Sequence, residues 1–474
     1  MKSVWAKTVG LSTFLATAAG TVFAADAAEP VIDTGDTAFM LIAMVFVMIM
    51  TPAISLFYGG MVRAKNVLNT IMMSLIVMGL ITVQWVIGGY SLAFGPDVSH
   101  VIGNFDWSMF AGVGQTPNAD YSGTIPHMLF AIFQMMFAII TAGIITGSFV
   151  ERMKFSAFIV FILLWTTLVY DPVAHWVWGV DGWLRNDGVL DFAGGTVIHI
   201  LSGISGLTVA CVIGKRAGFG KVPMIPHNIP MIVIGMAFLW LGWFGFNGGS
   251  ALAANGLAAH AMVTTQVAAG CGMLGWLIAE WVSNGKGTTL GAASGSIAGL
   301  VGITPAAGFV PVWSSIIIGA LAGVICYYAV AVLKAKIGYD DSLDAFGIHG
   351  IGGIWGAIAT GLFASKSVNE AGADGLFFGN PGQVVTQIEA VVYCMVFAVI
   401  VTFIIIKVLQ AIMTVRADEG EQIIGMDNLE HGERGYAYMD SLGALSFQRP
   451  VDSTLYSTQS ATSQAKEAVQ MTHN

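Results

Sequence analysis

Residues 191–199 read DFAGGTVIH, and residues 341–349 read DSLDAFGIH. In both, an aspartate precedes a histidine by eight positions: Asp191 and His199, then Asp341 and His349. Each string opens an apolar, glycine-rich segment long enough to cross a bilayer. Histidine inside a span is rare and costly, so it reads as a functional site with a partner nearby. The same acid-then-histidine pattern in both halves predicts one pathway lined by both. That points to passage of a species able to carry a proton.

The rest of the chain supports a membrane setting. It is 56% hydrophobic and 10% charged over 474 residues, with a mean hydropathy of +0.76. Soluble domains carry about 25% charged residues, so this composition requires many spans. Eleven candidates of roughly 20 apolar residues centre on 37–57, 67–94, 125–150, 155–178, 192–213, 228–249, 258–282, 290–307, 313–333, 346–364 and 384–415. The last is long enough to tilt or protrude. With the first span starting outside, the inner loops carry Arg63, Lys65, Arg152, Lys154, Lys215, Arg216, Lys221, Lys286, Lys334 and Lys336, and the outer loops only Arg185 and Lys366. This asymmetry satisfies the positive-inside rule and puts the C-terminal tail in the cytoplasm.

Under that topology spans five and ten run in opposite directions. The expected fold is an all-α polytopic membrane protein of eleven transmembrane helices. Spans one to five and six to ten form an inverted 5+5 repeat, with one long C-terminal helix appended. Eight helical residues rise about 12 Å, and half a hydrocarbon core is about 15 Å. Each histidine therefore enters from its own side and ends near the midplane, where the two can meet. Gly291, Gly295 and Gly299 in GAASGSIAG have the four-residue spacing that lets helices pack closely in lipid.

The ends read differently. Lys2 and Lys7, the apolar run 9–19 and Val22-Phe23-Ala24 predict a cleaved signal peptide over 1–24. An uncleaved first span is the alternative, for which the run is short. The signal's form suggests a bacterial inner membrane and a mature N-terminus outside the cytoplasm. Residues 25–416 then form the transmembrane domain and 417–474 a cytoplasmic tail. Its glycine-punctuated start, 417–436, is expected to dock on the cytoplasmic face, and 437–474 to be largely disordered. The net charge of −9 lies mostly in loops and tail. Cys211, Cys271, Cys326 and Cys394 fall in apolar stretches without metal-ligand spacing and read as buried free thiols.

His199 and His349 carry the chemistry. Imidazole donates on one nitrogen and accepts on the other, so facing neutral rings can take a proton from a cationic substrate and pass it on. The alternatives are two unrelated histidines satisfied by backbone, and a metal site, which would want three or four ligands where no further ligand has suitable spacing. Asp191 and Asp341 sit where helices begin and can cap free N–H groups. Asp191, at the outer face, can also attract a cation. Trp178 ends span four, where an interfacial belt is the ordinary role. Phe137 and Phe246 lie within spans three and six, where core packing is ordinary. Ser250 lies one turn beyond Phe246 and can share its face, and a hydroxyl beside aromatic faces can hold a small cation.

Taken together, DFAGGTVIHI (191–200), PHNIPMIVIGMAFLWLGWFGFN (226–247), GWFGFNGGSALAAN (242–255), IAGLVGITPAAGFV (297–310) and FGIHGIGGIWG (346–356) resemble the ammonium transporter family, Amt/MEP, related to Rh proteins. The resemblance runs from about 37 to 436. It implies a homotrimer of eleven-span protomers, each with its own pore. It implies twin pore histidines at His199 and His349, and an outer cation site at Trp178, Phe137 and Ser250. A stacked gate falls on Phe137 and Phe246, and a mouth acid on Asp191. The segment EGEQIIGMDNLEHGERGYAY (419–438) is similar to the family's docking tail, which in bacterial members meets a PII-class signalling protein. Two features depart: Asp171 in YDPVAHWVWG, where a neutral residue is expected and where an acid could either be harmless or alter the mouth, and the polar extension after Tyr436.

The expected function is movement of ammonium or ammonia across the inner membrane, with outer recruitment, a dry gate and a histidine proton relay. An ammonium sensor and an electroneutral Rh-type gas channel are the competing readings. The polar tail lacks a domain-sized core, which speaks against a dominant sensor. No nucleophile–base set, phosphate loop, cofactor motif or metal cluster suggests an enzyme, and no basic patch suggests nucleic acid.

Overall fold

The computed structural model describes residues 31–436. The expected signal peptide and the polar end 437–474 lie outside the described residues. Ten helices among the described residues are long and apolar enough to cross a membrane. They are α1 (Thr34–Met61), α2 (Ala64–Phe94), α3 (His127–Ser148), α4 (Phe155–Asn186), α5 (Gly195–Ile213), α6 (Ile229–Gly248), α7 (Gly256–Asn284), α9 (Val312–Ile337), α10 (Phe346–Phe363) and α11 (Gly382–Ile412). The eighth candidate is shorter than expected. α8 covers Thr289–Ile303, 15 residues, a rise of about 22 Å. Pro305 disfavours helical geometry at the residue before it, and the chain turns through 304–310 instead of continuing.

Polar residues set the helix starts. Asp33, Asn228, Asn255 and Thr288 each accept a backbone N–H from the first turn of α1, α6, α7 and α8. Gly285, at φ +74°, closes α7 in the left-handed conformation. Two short antiparallel ribbons, Asp97–Val98 with Ile102–Gly103 and Pro117–Asn118 with Ser122–Pro126, fold between α2 and α3.

In the packing, α1 lies against α6, α7 against α8 and α9, and α11 against α5 and α10. The helices α5 and α10 cross at the centre. Glycine permits this: a Cβ on Gly203 would collide with the Gly350 backbone, and one on Gly353 would stand 2.9 Å from the Gly195 carbonyl and 3.1 Å from His199 Cβ. The outward side of α11 exposes an apolar run through Val392, Val396, Ile400 and Ile404, as a lipid-facing helix requires, with the charged Glu389 and Lys407 exposed on either side of it. The cysteines divide: Cys326 and Cys394 are buried, Cys271 is half-buried and Cys211 is exposed. The expectation of four buried thiols fails at Cys211 because α5 turns that residue outward, away from its packed faces.

The basic connections gather at one end of the bundle. There Glu151 joins Arg63 (3.0 Å) and Arg216 (2.9 Å), and Arg216 joins Asp340 (2.7 Å). Arg152 donates to Ser342 Oγ and the Asp340 carbonyl, both at 2.5 Å. Residues 417–436 lie across this face. Lys65 Nζ donates to the Gln422 carbonyl, Lys154 pairs with Glu421, the Met426 N–H donates to Asn66 Oδ1, and His227 bonds the Tyr436 hydroxyl at 2.7 Å.

Candidate functional site

At the end opposite the basic face, a cavity of about 400 Å³ opens among α3, α4, α5 and α6. Phe137, Trp178, Ser250, Asp191, Gln134 and Tyr121 line it. The sequence singled out the first four; the fold brings them to one wall. Trp178 is held at both of its polar groups: its indole N–H donates to the Asp191 carbonyl at 2.9 Å, and Arg185 donates to its own carbonyl at 2.8 Å. Its ring meets Phe137 edge-on, centroids 6.1 Å apart at 83°.

Asp191 caps the start of α5. One carboxylate oxygen accepts from Gly194 (2.8 Å) and Gly195 (2.7 Å), the other from Thr196 (2.7 Å). Gly194, at φ +112°, makes the turn that aims these N–H groups. Both oxygens are engaged, so Asp191 offers the vestibule negative charge rather than a free ligand. At the other end of the bundle Asp341 does the same for α10, accepting from the Phe346 N–H at 2.8 Å.

Ser250 and Gln134 present acceptors. The Ser250 hydroxyl donates to the Phe246 carbonyl at 2.8 Å. A hydroxyl has one proton, so the lone pairs of Ser250 Oγ remain open. Gln134 Oε1 is buried and has no partner among the described residues. A buried unpaired acceptor is expensive, and Gln134 is one of the residues that line the cavity. Reading the sequence missed Gln134. It lies one turn before Phe137 on the same face of α3, the only signal the sequence held.

Below the vestibule, Phe137 and Phe246 stack in parallel, centroids 4.3 Å apart at 13°. Both are wholly buried. Beneath them is a space of only about 10 Å³, lined by Ile140, Ile144, Leu239, Trp243, His199 and His349 among others. A water needs about 10–15 Å³ and two to four polar partners, so this space is at the lower limit for a single water, and its lining is mostly apolar. At its floor the Nδ1 atoms of His199 and His349 lie 3.2 Å apart, with ring centroids 5.2 Å apart at 30°. One Nδ1 must donate and the other accept, so neutral rings take opposite tautomers and one Nε2 is left bare. His199 Nε2 has no partner among the described residues.

Helical register explains how these side chains reach the centre. His199, Phe246 and His349 all sit in π-turns, at Gly195–Ile200, Phe244–Gly248 and Phe346–Gly350. A π-turn inserts a residue and shifts the side chains that follow, and such turns are frequent at functional sites.

Asp171 does not reach the mouth. It sits two turns, about 10 Å, deeper than Trp178 along α4. It is fully buried, where it accepts from Gln84 Nε2 of α2 at 2.7 Å. Gln84 also donates to Thr167 at 3.1 Å. Of the two readings left open for this acid, harmless or altering the mouth, its position favours the first, because its helix face is turned toward α2.

Comparison with known proteins gives a consistent result. Residues 38–436 match the model of the Ammonium Transporter Family. An ammonium transporter of Bacillus subtilis is 53% identical over 408 residues, covering 86% of this chain and 99% of that protein. One from Aquifex aeolicus is 49% identical over 413 residues, covering 86% and 95%. Among solved structures, Mep2 of Saccharomyces cerevisiae superposes with a TM-score of 0.78 at 37% identity, covering 82% of this chain and 89% of that one. A structure titled Sensor Amt Protein superposes with a TM-score of 0.77 at 26% identity, covering 84% and 98%.

Proposed function

Because the chain belongs to the ammonium transporter family and is a multi-pass membrane protein, we propose that it carries ammonium across a bacterial inner membrane. The cation enters the vestibule and rests against Trp178 and Phe137, its N–H groups donating to Ser250 Oγ and Gln134 Oε1, with the Asp191 charge behind. The ordinary penalty for a charge in a narrow, apolar conduit is several kcal/mol or more, so the proton separates before or at the Phe137–Phe246 gate. Neutral ammonia crosses the narrow space below. The proton is relayed by the histidine pair: it is taken up on a bare Nε2, shifts across the Nδ1–Nδ1 bond, and leaves from the far Nε2. Hydrated potassium has no such route, because it cannot shed a proton. The protein's role is passage, not catalysis of a covalent change.

The single observation that carries this reading is the 3.2 Å histidine pair beneath a closed aromatic stack. The wider architecture belongs to the same proposal. Eleven spans follow if α8 and the turns after it traverse together, and an inverted 5+5 repeat is supported by the pairing of α1 with α6 and α5 with α10. A homotrimer, the orientation with the basic face in the cytoplasm, and a PII-class partner at the docked tail complete it. The test is the current evoked by ammonium, methylammonium and potassium in proteoliposomes. Currents with the first two and none with potassium are expected. Ammonia flux without net charge would favour the gas-channel alternative.

The sensor reading has one specific support, the docking of 417–436 on the basic face through Lys65, Lys154 and His227. Removing residues 417–474 should spare the current if the protein is mainly a transporter.

A further inference from the structure

Trp243 is the last residue of α6 before the π-turn that carries Phe246. Its indole is buried and lies nearly parallel to the His199 ring, centroids 5.5 Å apart at 25°. It also meets Phe246, 5.5 Å away at 51°. One side chain therefore touches both the gate and the histidine pair, and forms a wall of the narrow space between them. Its polar atom points the other way: Nε1–H donates to Thr304 Oγ1 at 2.9 Å.

Thr304 follows α8 and is fully buried. Its own hydroxyl donates to the Leu300 carbonyl at 2.8 Å. With that proton committed, Oγ1 can only accept from the indole. The backbone around it is fixed as well, since the Pro305 carbonyl receives the Phe192 N–H at 3.1 Å, beside the Asp191 cap.

Resting on the reading above, we infer that Thr304 is a positioning residue for the pore. It fixes the Trp243 plane, and the indole in turn holds the His199 ring against His349 and keeps the conduit too narrow for water. Trp243 is set by a bond outside the pore, from a helix that contributes no pore histidine. Removing the acceptor leaves an indole N–H unpaired in a dry interior, which favours rotation of the ring toward any polar partner. Rotation widens the space beneath the gate and frees His199.

The test compares Thr304→Val, which keeps the shape and removes the acceptor, with Thr304→Ser, which keeps the acceptor. Ammonium and potassium currents are measured in proteoliposomes. Thr304→Val should lower the ammonium-to-potassium ratio about tenfold or more, the effect of one lost buried hydrogen bond, and Thr304→Ser should stay within about twofold of wild type. On a Trp243→Phe background, which has no indole donor, Thr304→Val should add little, because the two residues act through one bond. A wild-type ratio in Thr304→Val would overturn the inference. So would equal damage from Ser and Val, or an undiminished Val effect on the Trp243→Phe background. A wild-type protein carrying no ammonium current would instead overturn the transport reading.

Discussion

In the proposed cation site Ser250 and the Gln134 amide supply the oxygen acceptors, while Phe137 and Trp178 supply the aromatic faces; all four line the cavity. Ammonium has four N–H donors and no acceptor, so a site of bare oxygens and π-faces suits it. Hydrogen bonds to a charged group are worth about 1.5–3 kcal/mol. Gln134→Leu should therefore raise the half-saturating ammonium concentration about tenfold or more, with a smaller change in maximal current. An unchanged half-saturation in a concentration series would remove Gln134 from the site. At this scale the histidines were legible because the Asp-to-His spacing recurs. Phe137, Phe246, Trp178 and Ser250 were weak readings until the family resemblance joined them. Gln134 and Thr304 were not legible: a lone polar residue on an apolar span leaves no periodic mark, and its meaning lies in which atoms are left unpaired.

Hydrophobicity and length located nearly all of the helices, because a span needs its apolar run whatever it packs against. What they missed is local. The eighth segment kept its apolar character through 304–307, and only Pro305 signalled that the helix stops. The π-turns have no sequence mark, although they bring His199, Phe246 and His349 to the axis. Crossing of α5 over α10 depends on glycines facing each other. Gly203→Ala puts a methyl into the Gly350 backbone. Such overpacking costs about 1–3 kcal/mol, and here it also separates the rings. Lower thermal stability in detergent together with a reduced ammonium current is expected, and a variant normal in both would contradict the crossing. Asp171 makes a second junction, between α2 and α4. Asp171→Leu leaves one of the two Gln84 amide N–H groups without its acceptor and should cost about 1–3 kcal/mol, while Asp171→Asn keeps an acceptor and should be milder. Both are checked by thermal unfolding.

For the molecule as a whole, the buried charges at the basic face tie the α1–α2, α3–α4, α5–α6 and α9–α10 connections to one another. Burial pushes the Glu151 carboxyl up, but Arg216 and Arg63 outweigh it and hold it below the usual carboxylate range. Asp340 is held low in the same way, Arg216 and Arg152 acting against burial. Asp341 is the reverse: burial pushes it up to about 6, although Lys334 draws it down. The signs follow. Stability contributed by Glu151 and Asp340 is full above the ordinary carboxylate value and is lost as pH falls through their lowered values. Asp341 favours the folded state as pH falls through about 6. Thermal stability in detergent should therefore peak near about pH 5 and fall below about 4. A steady rise from pH 5 to 8 would contradict this assignment. Arg216→Met leaves Glu151 and Asp340 short of their main partner and should cost about 3–5 kcal/mol, read as a large drop in unfolding temperature.

The whole scheme depends on two imidazoles joined in a conduit that holds no water. The most direct measurement is the ammonium-evoked current of the His199→Ala, His349→Ala double variant, reconstituted beside wild type, with potassium current recorded on the same membranes. The account predicts loss of proton-coupled ammonium current and loss of ammonium-over-potassium selectivity. Unchanged current with unchanged selectivity would contradict it.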